Sequence, residues 1–299
     1  MADVERLTSG YTDRIVRFIS SIIRDAIRIC GEAPGDYAVI ALGSLARAEA
    51  TFYSDLEFMF VISNENTEAY FQDLAITIYF LIANLGETKL KCMNIPELQN
   101  VMEEYRSGVK IDGFQRFAGN IPTGNGTKRQ ENRLICTIDE LEQLYHSVLN
   151  NPSENASRGD VTAMLSTLRF ICGRQTLFTR LEDTLASIQG NEARQRATMS
   201  MIERDINQYP YAPAPNGKDR VRSAKEDFYR YPSLLIYNLK IYYKRRTSSA
   251  TETLLSLEQN KTITTGIADD LRFSLYAAIY VRMKAYAFYD SQKEDVLVS

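Results

Sequence analysis

The stretch that decides the fold reads Ala41-Leu-Gly-Ser-Leu-Ala-Arg-Ala-Glu-Ala-Thr-Phe-Tyr-Ser-Asp-Leu-Glu-Phe-Met-Phe-Val-Ile62. Apolar residues from Tyr37 to Leu42 predict a strand, and Gly43-Ser44 predicts a turn into a short helical segment. A second apolar strand follows and opens with two carboxylates, Asp55 and Glu57. Because residues two apart on a strand share a face, we expect both carboxylates to point the same way, as a divalent metal site requires.

The turn adds a second feature to these carboxylates. Backbone N–H groups at the start of a helical turn carry partial positive charge, so Gly43-Ser44 is a candidate phosphate cradle. A metal site beside a phosphate cradle indicates chemistry on a nucleoside triphosphate. Asp112, in the strand-like segment 108–115, is the candidate for a third metal ligand and for the base that accepts a proton from the attacking hydroxyl. The alternative for Asp112 is a turn-forming aspartate before Gly113.

The bulk composition excludes several classes of function. With 44% hydrophobic and 24% charged residues, the chain has the composition of a soluble globular protein. A net charge of −3 disfavours general attraction to nucleic acid, although Arg220-Val-Arg222 and Lys244-Arg-Arg246 are local basic patches. The single histidine, His146, argues against a histidine-rich metal site. Widely spaced cysteines and the lack of a long apolar run predict a cytoplasmic protein that does not enter the membrane.

The pattern along the chain predicts two domains, at residues 1–150 and 151–299, joined by a linker of Asn, Ser and Pro. In the first domain we expect helices at 11–30, 67–84, 96–106 and 139–149, a loop at 119–126 and a small strand at 134–137. In the second domain we expect only helices, at 160–173, 175–188, 192–208, 227–246, 249–259 and 264–290, with a proline-rich loop at 209–217. The predicted fold class is therefore α+β, a small mixed-sheet domain followed by an all-α helical bundle. The helical pattern near the last residue is also what a piece of a longer polypeptide would show.

The central stretch resembles a known family. Gly43-Ser-Leu-Ala-Arg-Ala-Glu49 and Ser54-Asp-Leu-Glu57 are similar to the Gly-Ser-x-x-Arg-x-Glu and Ser-Asp-x-Asp pattern of the DNA polymerase β-like nucleotidyltransferase superfamily. The branch it most resembles contains the glutamine-synthetase adenylyltransferase, the PII-protein uridylyltransferase and related transferases of unknown substrate. Segments 111–122 and 225–232 look like the third-acid strand and the start of the C-terminal helical domain of those transferases. Glu57 departs from the pattern, in which the second acid is commonly aspartate, although a longer carboxylate can still bind metal.

The resemblance implies a role for each predicted site residue. Gly43 and Ser44 would hold the β- and γ-phosphates of the nucleotide. Asp55 and Glu57 would bind Mg²⁺ or Mn²⁺, and Asp112 would complete the metal site and act as the base.

The resemblance leaves the charged residues around that site open. Either Arg47 reaches phosphate and Glu49 packs elsewhere, or both are structural anchors, because a spacing of two separates them on a helix. Lys225 or Arg230 would clamp the triphosphate from the second domain.

The activity implied is metal-dependent transfer of a nucleoside monophosphate from a nucleoside triphosphate such as ATP to a hydroxyl, with release of pyrophosphate. A protein is the first expectation for the acceptor and a small molecule the second, and adenylyl and uridylyl transfer are both open. One alternative is a nucleotide-binding or regulatory module on the same fold without transfer. Another is a transferase that acts on nucleic acid, which the acidic charge and the lack of a basic stripe disfavour.

Overall fold

The computed structural model describes residues 2–54, 56–85, 135–150, 167–188, 191–209, 220–291 and 293–298. The elements predicted at 96–106, 108–115 and 119–126 lie outside the described residues, as do Asp55 and Asp112.

The first half of the chain folds around the stretch quoted above. Its elements are helix α1 (Ala2–Cys30), strand β1 (Tyr37–Ala41), the short helix α2 (Gly43–Ala46), strand β2 (Phe58–Ile62), a 3₁₀ turn (Glu65–Thr67), helix α3 (Glu68–Ala83), strand β3 (Ile135–Cys136) and helix α4 (Ile138–Asn150). Each of these except the 3₁₀ turn matches a predicted element, and α1 begins nearer the N-terminus than expected. Apolar side chains at helical spacing on α1, including Ile19 and Ile23, are buried against the sheet and α3.

The second half is mainly helical. Its elements are strand β4 (Arg169–Gly173), helices α5 (Gln175–Ser187) and α6 (Asn191–Gln208), strand β5 (Arg220–Ser223), a π-helical turn (Ala224–Tyr229), helices α7 (Arg230–Tyr242), α8 (Ala250–Gln259) and α9 (Thr265–Tyr289), and strand β6 (Asp295–Val298). The predicted fold class, α+β with a helical part, is confirmed. None of the helices in the described ranges combines the length and apolarity needed to cross a membrane.

The four-stranded sheet has the strand order β3-β2-β1-β4, with β1 antiparallel to β2 and β4 and with β2 parallel to β3. Every residue of β2 is buried, and so are four of the five residues of β1, which explains their nearly continuous apolar sequences. Because Ala41 pairs with Phe58, the chain that leaves β1 and the chain that enters β2 lie side by side. This register brings Gly43 and Glu57 to the same end of the sheet.

Strand β4 corrects the prediction of a helix over 160–173. Residues 169–173 instead pair with β1, and Gly173, with φ +100°, lies so close to Tyr37 that a β-carbon there would be 2.4 Å from the Tyr37 carbonyl oxygen. A segment with only three consecutive apolar side chains, at 170–172, has too little periodicity to separate helix from strand, and pairing with a distant strand then decides.

The expectation of only helices beyond residue 150 was also wrong at the β5–β6 pair. These two strands are antiparallel and more than 70 residues apart in sequence, so no local pattern links them. The helix predicted at 227–246 also differs. A π-helical turn starts at Ala224, where Ser223 Oγ accepts a hydrogen bond from the Glu226 N–H, and α7 stops at Tyr242 before Lys244 at φ +50°.

Among the described residues, the buried apolar side chains form two hydrophobic clusters. The first joins α1, α3, α4 and the sheet, and it includes residues of β4, α5 and α6 from beyond the predicted boundary. The second joins α7, α8, α9 and the π-helical turn. The division at 150/151 stays a prediction.

Candidate functional site

In the turn after β1, Gly43 lies in close contact with another side chain. Gly43 is buried and has φ +55°, in the left-handed region that favours glycine. A β-carbon at this position would lie 1.3 Å from Glu57 Oε2 and 2.5 Å from Glu57 Cδ. The glycine therefore makes room for the Glu57 carboxylate, which lies directly against the Gly43 α-carbon.

The backbone fixes this contact. The Leu42 N–H donates a 2.8 Å hydrogen bond to the Glu57 carbonyl, so the two segments continue the β1–β2 pairing by one step. Strand β2 itself begins at Phe58, and Glu57 comes immediately before it instead of opening it as predicted. Ser44 is half-buried in the first turn of α2. In that turn, the first backbone N–H groups have no acceptor within the helix.

Of the predicted acidic ligands, only Glu57 is described. Asp55 and Asp112 lie outside the described residues, so the predicted three-carboxylate site stays a prediction. Within the described ranges, no three His, Cys, Asp or Glu side chains are close enough to hold a metal ion together. Carboxylate oxygen is nevertheless the ligand type that Mg²⁺ and Mn²⁺ prefer, so Glu57 beside Gly43 fits the predicted chemistry.

A second group of polar residues lies at the end of the same motif. Glu49 is 1% exposed, and its carboxylate accepts four hydrogen bonds. The donors are Arg47 Nε at 3.1 Å and the hydroxyls of Tyr229 at 2.6 Å, Ser233 at 3.3 Å and Tyr237 at 2.8 Å. We call these five residues the Glu49 cluster. It connects the turn after α2 to α7 and the π-helical turn before it.

Arg47 completes the Glu49 cluster. Its Nη2 donates to the Tyr229 hydroxyl at 3.1 Å, and its guanidinium carbon lies 4.9 Å from the centre of the Tyr237 ring. Helix α2 ends at Ala46, and Ala48 has φ +59°, so Arg47 and Glu49 are not on a helix and can bond to each other. Both side chains are therefore held in the Glu49 cluster, and the choice between the two alternatives that the sequence left open stays a prediction. Whether Arg47 also contacts a nucleotide stays a prediction.

Burial and charge shape the protonation of the Glu49 cluster. Burial and the neighbouring Glu49 carboxylate raise the pKa of the Tyr229 and Tyr237 hydroxyls, so both stay protonated as donors. Burial lowers the pKa of Arg47, but Tyr229 and Glu49 raise it more, and the net shift is upward. Arg47 is thus charged, and the cluster contains a compensated buried ion pair.

The predicted phosphate clamps are in the π-helical turn and at the start of α7. Lys225 is half-buried and, within the described part of the chain, forms no ion pair. Arg230 Nε lies 3.5 Å from Glu226 Oε1, one helical turn earlier. Neither residue is part of the Glu49 cluster, and their contact with a triphosphate stays a prediction.

Tyr229, Ser233 and Tyr237 are the members of the Glu49 cluster that the sequence did not identify. A signal was present, because the three residues are spaced by four and fall on one face of a helix. Tyrosine at helical spacing is also typical of ordinary core packing, and only the tertiary structure brings these hydroxyls to Glu49.

The comparison with known families agrees with the motif. Residues 1–108 match the family described as "Putative nucleotidyltransferase DUF294". The matched segment contains Gly43, Glu49 and Glu57 and ends before α4. No curated protein shows a significant match to the chain. The match supports a nucleotidyltransferase-like family, while the branch, substrate, metal and acceptor are left open.

Proposed function

We propose that this protein is a metal-dependent nucleotidyltransferase that moves a nucleoside monophosphate from a nucleoside triphosphate to a hydroxyl on an acceptor protein. The observation that carries the proposal is the contact between the Glu57 carboxylate and Gly43, inside the segment that matches the nucleotidyltransferase family. This contact places a carboxylate beside the first turn of α2. Nucleotidyl transfer needs both a carboxylate that can bind metal and backbone N–H groups that can bind phosphate.

In the proposed reaction, the acceptor oxygen attacks the α-phosphorus and forms a P–O bond. The bond between the α-phosphorus and its bridging oxygen to the β-phosphorus breaks, and pyrophosphate leaves. Asp112 accepts the proton of the attacking hydroxyl. The Ser44 hydroxyl and the amides of the α2 turn bind the β- and γ-phosphates.

The carboxylates of Asp55, Glu57 and Asp112 would hold Mg²⁺ or Mn²⁺, which neutralises charge on the phosphates when bound. Lys225 would add a positive charge from the helical part, and Arg47 would position the turn through the Glu49 cluster. Titration with four triphosphates identifies the base of the nucleotide, adenine or uracil.

A second function has one specific observation in its favour. The Glu57 side chain is one methylene longer than the aspartate of the family pattern, and its carboxylate lies against the turn that we propose to bind phosphate. A carboxylate in that place favours a module that binds nucleotide weakly and regulates a partner without transfer. The two functions share the fold but differ in what Glu57→Asp does.

The first test is calorimetric titration of the full chain with ATP, UTP, GTP and CTP, with and without Mg²⁺ or Mn²⁺. We expect metal-dependent binding of one nucleotide, and an Asp55→Asn variant should lose it. Asp25→Asn is the matched control, because Asp25 is a carboxylate in an exposed ion pair with Arg28 on α1. Absence of binding for all four triphosphates would contradict both the transferase and the nucleotide-binding module.

A second measurement separates those two functions. Transfer is followed as label moving from α-labelled nucleotide to the protein of a cell extract. If the protein is a transferase, Glu57→Asp keeps or raises the transfer rate, since it restores the family pattern. If it is only a binding module, neither the wild type nor Glu57→Asp transfers label.

A further inference from the structure

A cavity of about 560 Å³ lies among α5, α6, α7 and the segment between α7 and α8. Its volume is in the range of small-molecule sites. The basic patch at Lys244-Arg-Arg246 lines it, together with Arg194 and Lys240. None of these five cations belongs to the Gly43–Glu57 contact or to the Glu49 cluster.

Three acidic side chains also line the cavity, and two of them are already engaged. Asp183 pairs with Arg246 at 3.3 Å. Glu252 accepts hydrogen bonds from the backbone and the hydroxyl of Ser248, at 2.8 and 2.7 Å. The third acid is Glu182, and burial raises the pKa of its carboxyl. Among the described residues that line the cavity, there are five cationic and three acidic side chains.

Two of the cations, Lys244 and Arg245, have N–H donors that no carboxylate of the described residues accepts. Among the described residues, no carboxylate lies within ion-pair distance of Lys244 or Arg245. The Arg245 Nε–H is buried and has no hydrogen-bond partner in the structure. A buried donor without an acceptor costs free energy, so a rotation of the Arg245 side chain that brings Nε to a ligand oxygen in the cavity would be favoured.

Lys240 provides a third cation at the wall of this cavity. It is 5% exposed, and its ammonium group donates to Thr167 Oγ1 at 2.9 Å and to the Thr247 carbonyl. An ammonium group has three N–H donors, so one N–H is in excess of these two bonds. Below its pKa of about 8, an amine held in this way is a fixed positive charge and needs little reordering on binding.

We propose that this cavity is a binding site for a phosphate group of a small phosphorylated metabolite. Phosphate has several oxygen acceptors and up to two negative charges. It can therefore interact with one guanidinium and two ammonium groups at once, which a single carboxylate ligand does less well. Arg245 donates through Nε, and Lys240 and Lys244 supply charge. The proposal does not depend on the transferase activity.

The chain provides a matched control for Lys244. Lys244 and Lys261 both follow a helix end, at φ +50° and φ +55°, and each N–H donates to a carbonyl three residues back. Both side chains are exposed, but only Lys244 lines the cavity. Asparagine accepts left-handed backbone, so Lys244→Asn and Lys261→Asn remove one charge each at equal backbone cost.

The test is calorimetric titration of the full chain with inorganic phosphate at constant ionic strength and without divalent metal. We expect saturable binding, weakened at least about tenfold by Arg245→Met, since a charge-assisted hydrogen bond is lost. Lys244→Asn should weaken binding severalfold, and Lys261→Asn should leave it unchanged. Thermal unfolding of each variant verifies folding, and glucose 6-phosphate as a second probe tests whether the site takes an organic phosphate.

Three outcomes would overturn the proposal. One is a wild type that does not bind phosphate, and another is equal weakening by Lys244→Asn and Lys261→Asn. The third is binding that Ser44→Ala removes and Arg245→Met does not, which would assign the phosphate to the turn of α2. Failure of the nucleotide titrations alone would contradict the proposed transferase and leave this site intact.

Discussion

The two glutamates of the central motif, Glu57 and Glu49, are eight residues apart and have opposite surroundings. Glu57 is half-buried, and its carboxylate lies against a glycine turn at the end of the sheet. Glu49 is buried completely and accepts bonds from one arginine and three hydroxyls. One motif thus contains a carboxylate that we propose for the nucleotide site and a carboxylate that joins two parts of the fold. The two glutamates therefore need different tests, nucleotide binding for Glu57 and stability for Glu49.

The largest effect is expected from breaking the Glu49 cluster. Glu49→Gln leaves the buried Arg47 charge without its partner, and it should lower the free energy of unfolding by about 3–5 kcal/mol. Urea unfolding measures this. Glu226→Gln is the control, because it breaks an exposed pair with Arg230 and should cost less than about 1 kcal/mol.

A companion variant keeps this prediction testable if Glu49→Gln does not fold. The double variant Arg47→Met/Glu49→Gln removes the uncompensated charge, so it should be more stable than Glu49→Gln alone. A double variant that is less stable than Glu49→Gln would show that the unpaired Arg47 charge is not the cause of the loss of stability.

The next effect tests the Gly43–Glu57 contact. Gly43→Ala should cost about 2–4 kcal/mol, because left-handed backbone costs about 1–2 kcal/mol and overlap with Glu57 adds to it. Gly31→Ala is the matched control, with φ +90° and nothing within 4 Å of the added carbon. Adding Glu57→Ala should restore part of the loss at Gly43. Equal costs at both glycines would mean that no contact with Glu57 is made in solution.

A smaller effect separates the hydroxyls of α7. Tyr237→Phe removes one donor to a buried carboxylate and should cost about 1.5–3 kcal/mol by urea unfolding. Tyr242→Phe is the control on the same helix, because its hydroxyl forms no hydrogen bond with other described residues. If both substitutions cost the same, the Tyr237 ring and not its hydroxyl supports the cluster.

The smallest effect concerns a buried charge that is less well compensated than Glu49. Burial lowers the pKa of Lys240 from 10.5 to about 8. Between these values the unfolded chain binds the proton and the folded chain releases it, so Lys240 makes stability rise with pH in that range. Between pH 8 and 9, the free energy of unfolding of the wild type should rise by roughly 1 kcal/mol relative to that of Lys240→Met. A pH-independent difference would contradict the lowered pKa.

Much of the fold was predictable because the decisive signals are local. The apolar strands, the glycine turn and the long helices each show in a short window, and the structure confirms them. Strands β4, β5 and β6 were missed because they are stabilised by partners far along the chain. For the site, the sequence pointed to Gly43 and Glu57, which the structure brings into contact, while Asp55 and Asp112 stay predictions. The hydroxyls around Glu49 could not be predicted, because the packing of α7 against the central motif is not visible in any short stretch of sequence.

The most direct test of the division of roles uses Glu57→Gln and Glu49→Gln side by side, with urea unfolding and Mg²⁺-dependent binding of ATP, or of the other triphosphate that the titrations select, measured on each. For Glu57→Gln we expect unfolding within about 1 kcal/mol of wild type and ATP binding at least about tenfold weaker. For Glu49→Gln we expect the large loss of stability described above. A Glu57→Gln variant that binds ATP as tightly as wild type would contradict the assignment of Glu57 to the nucleotide site.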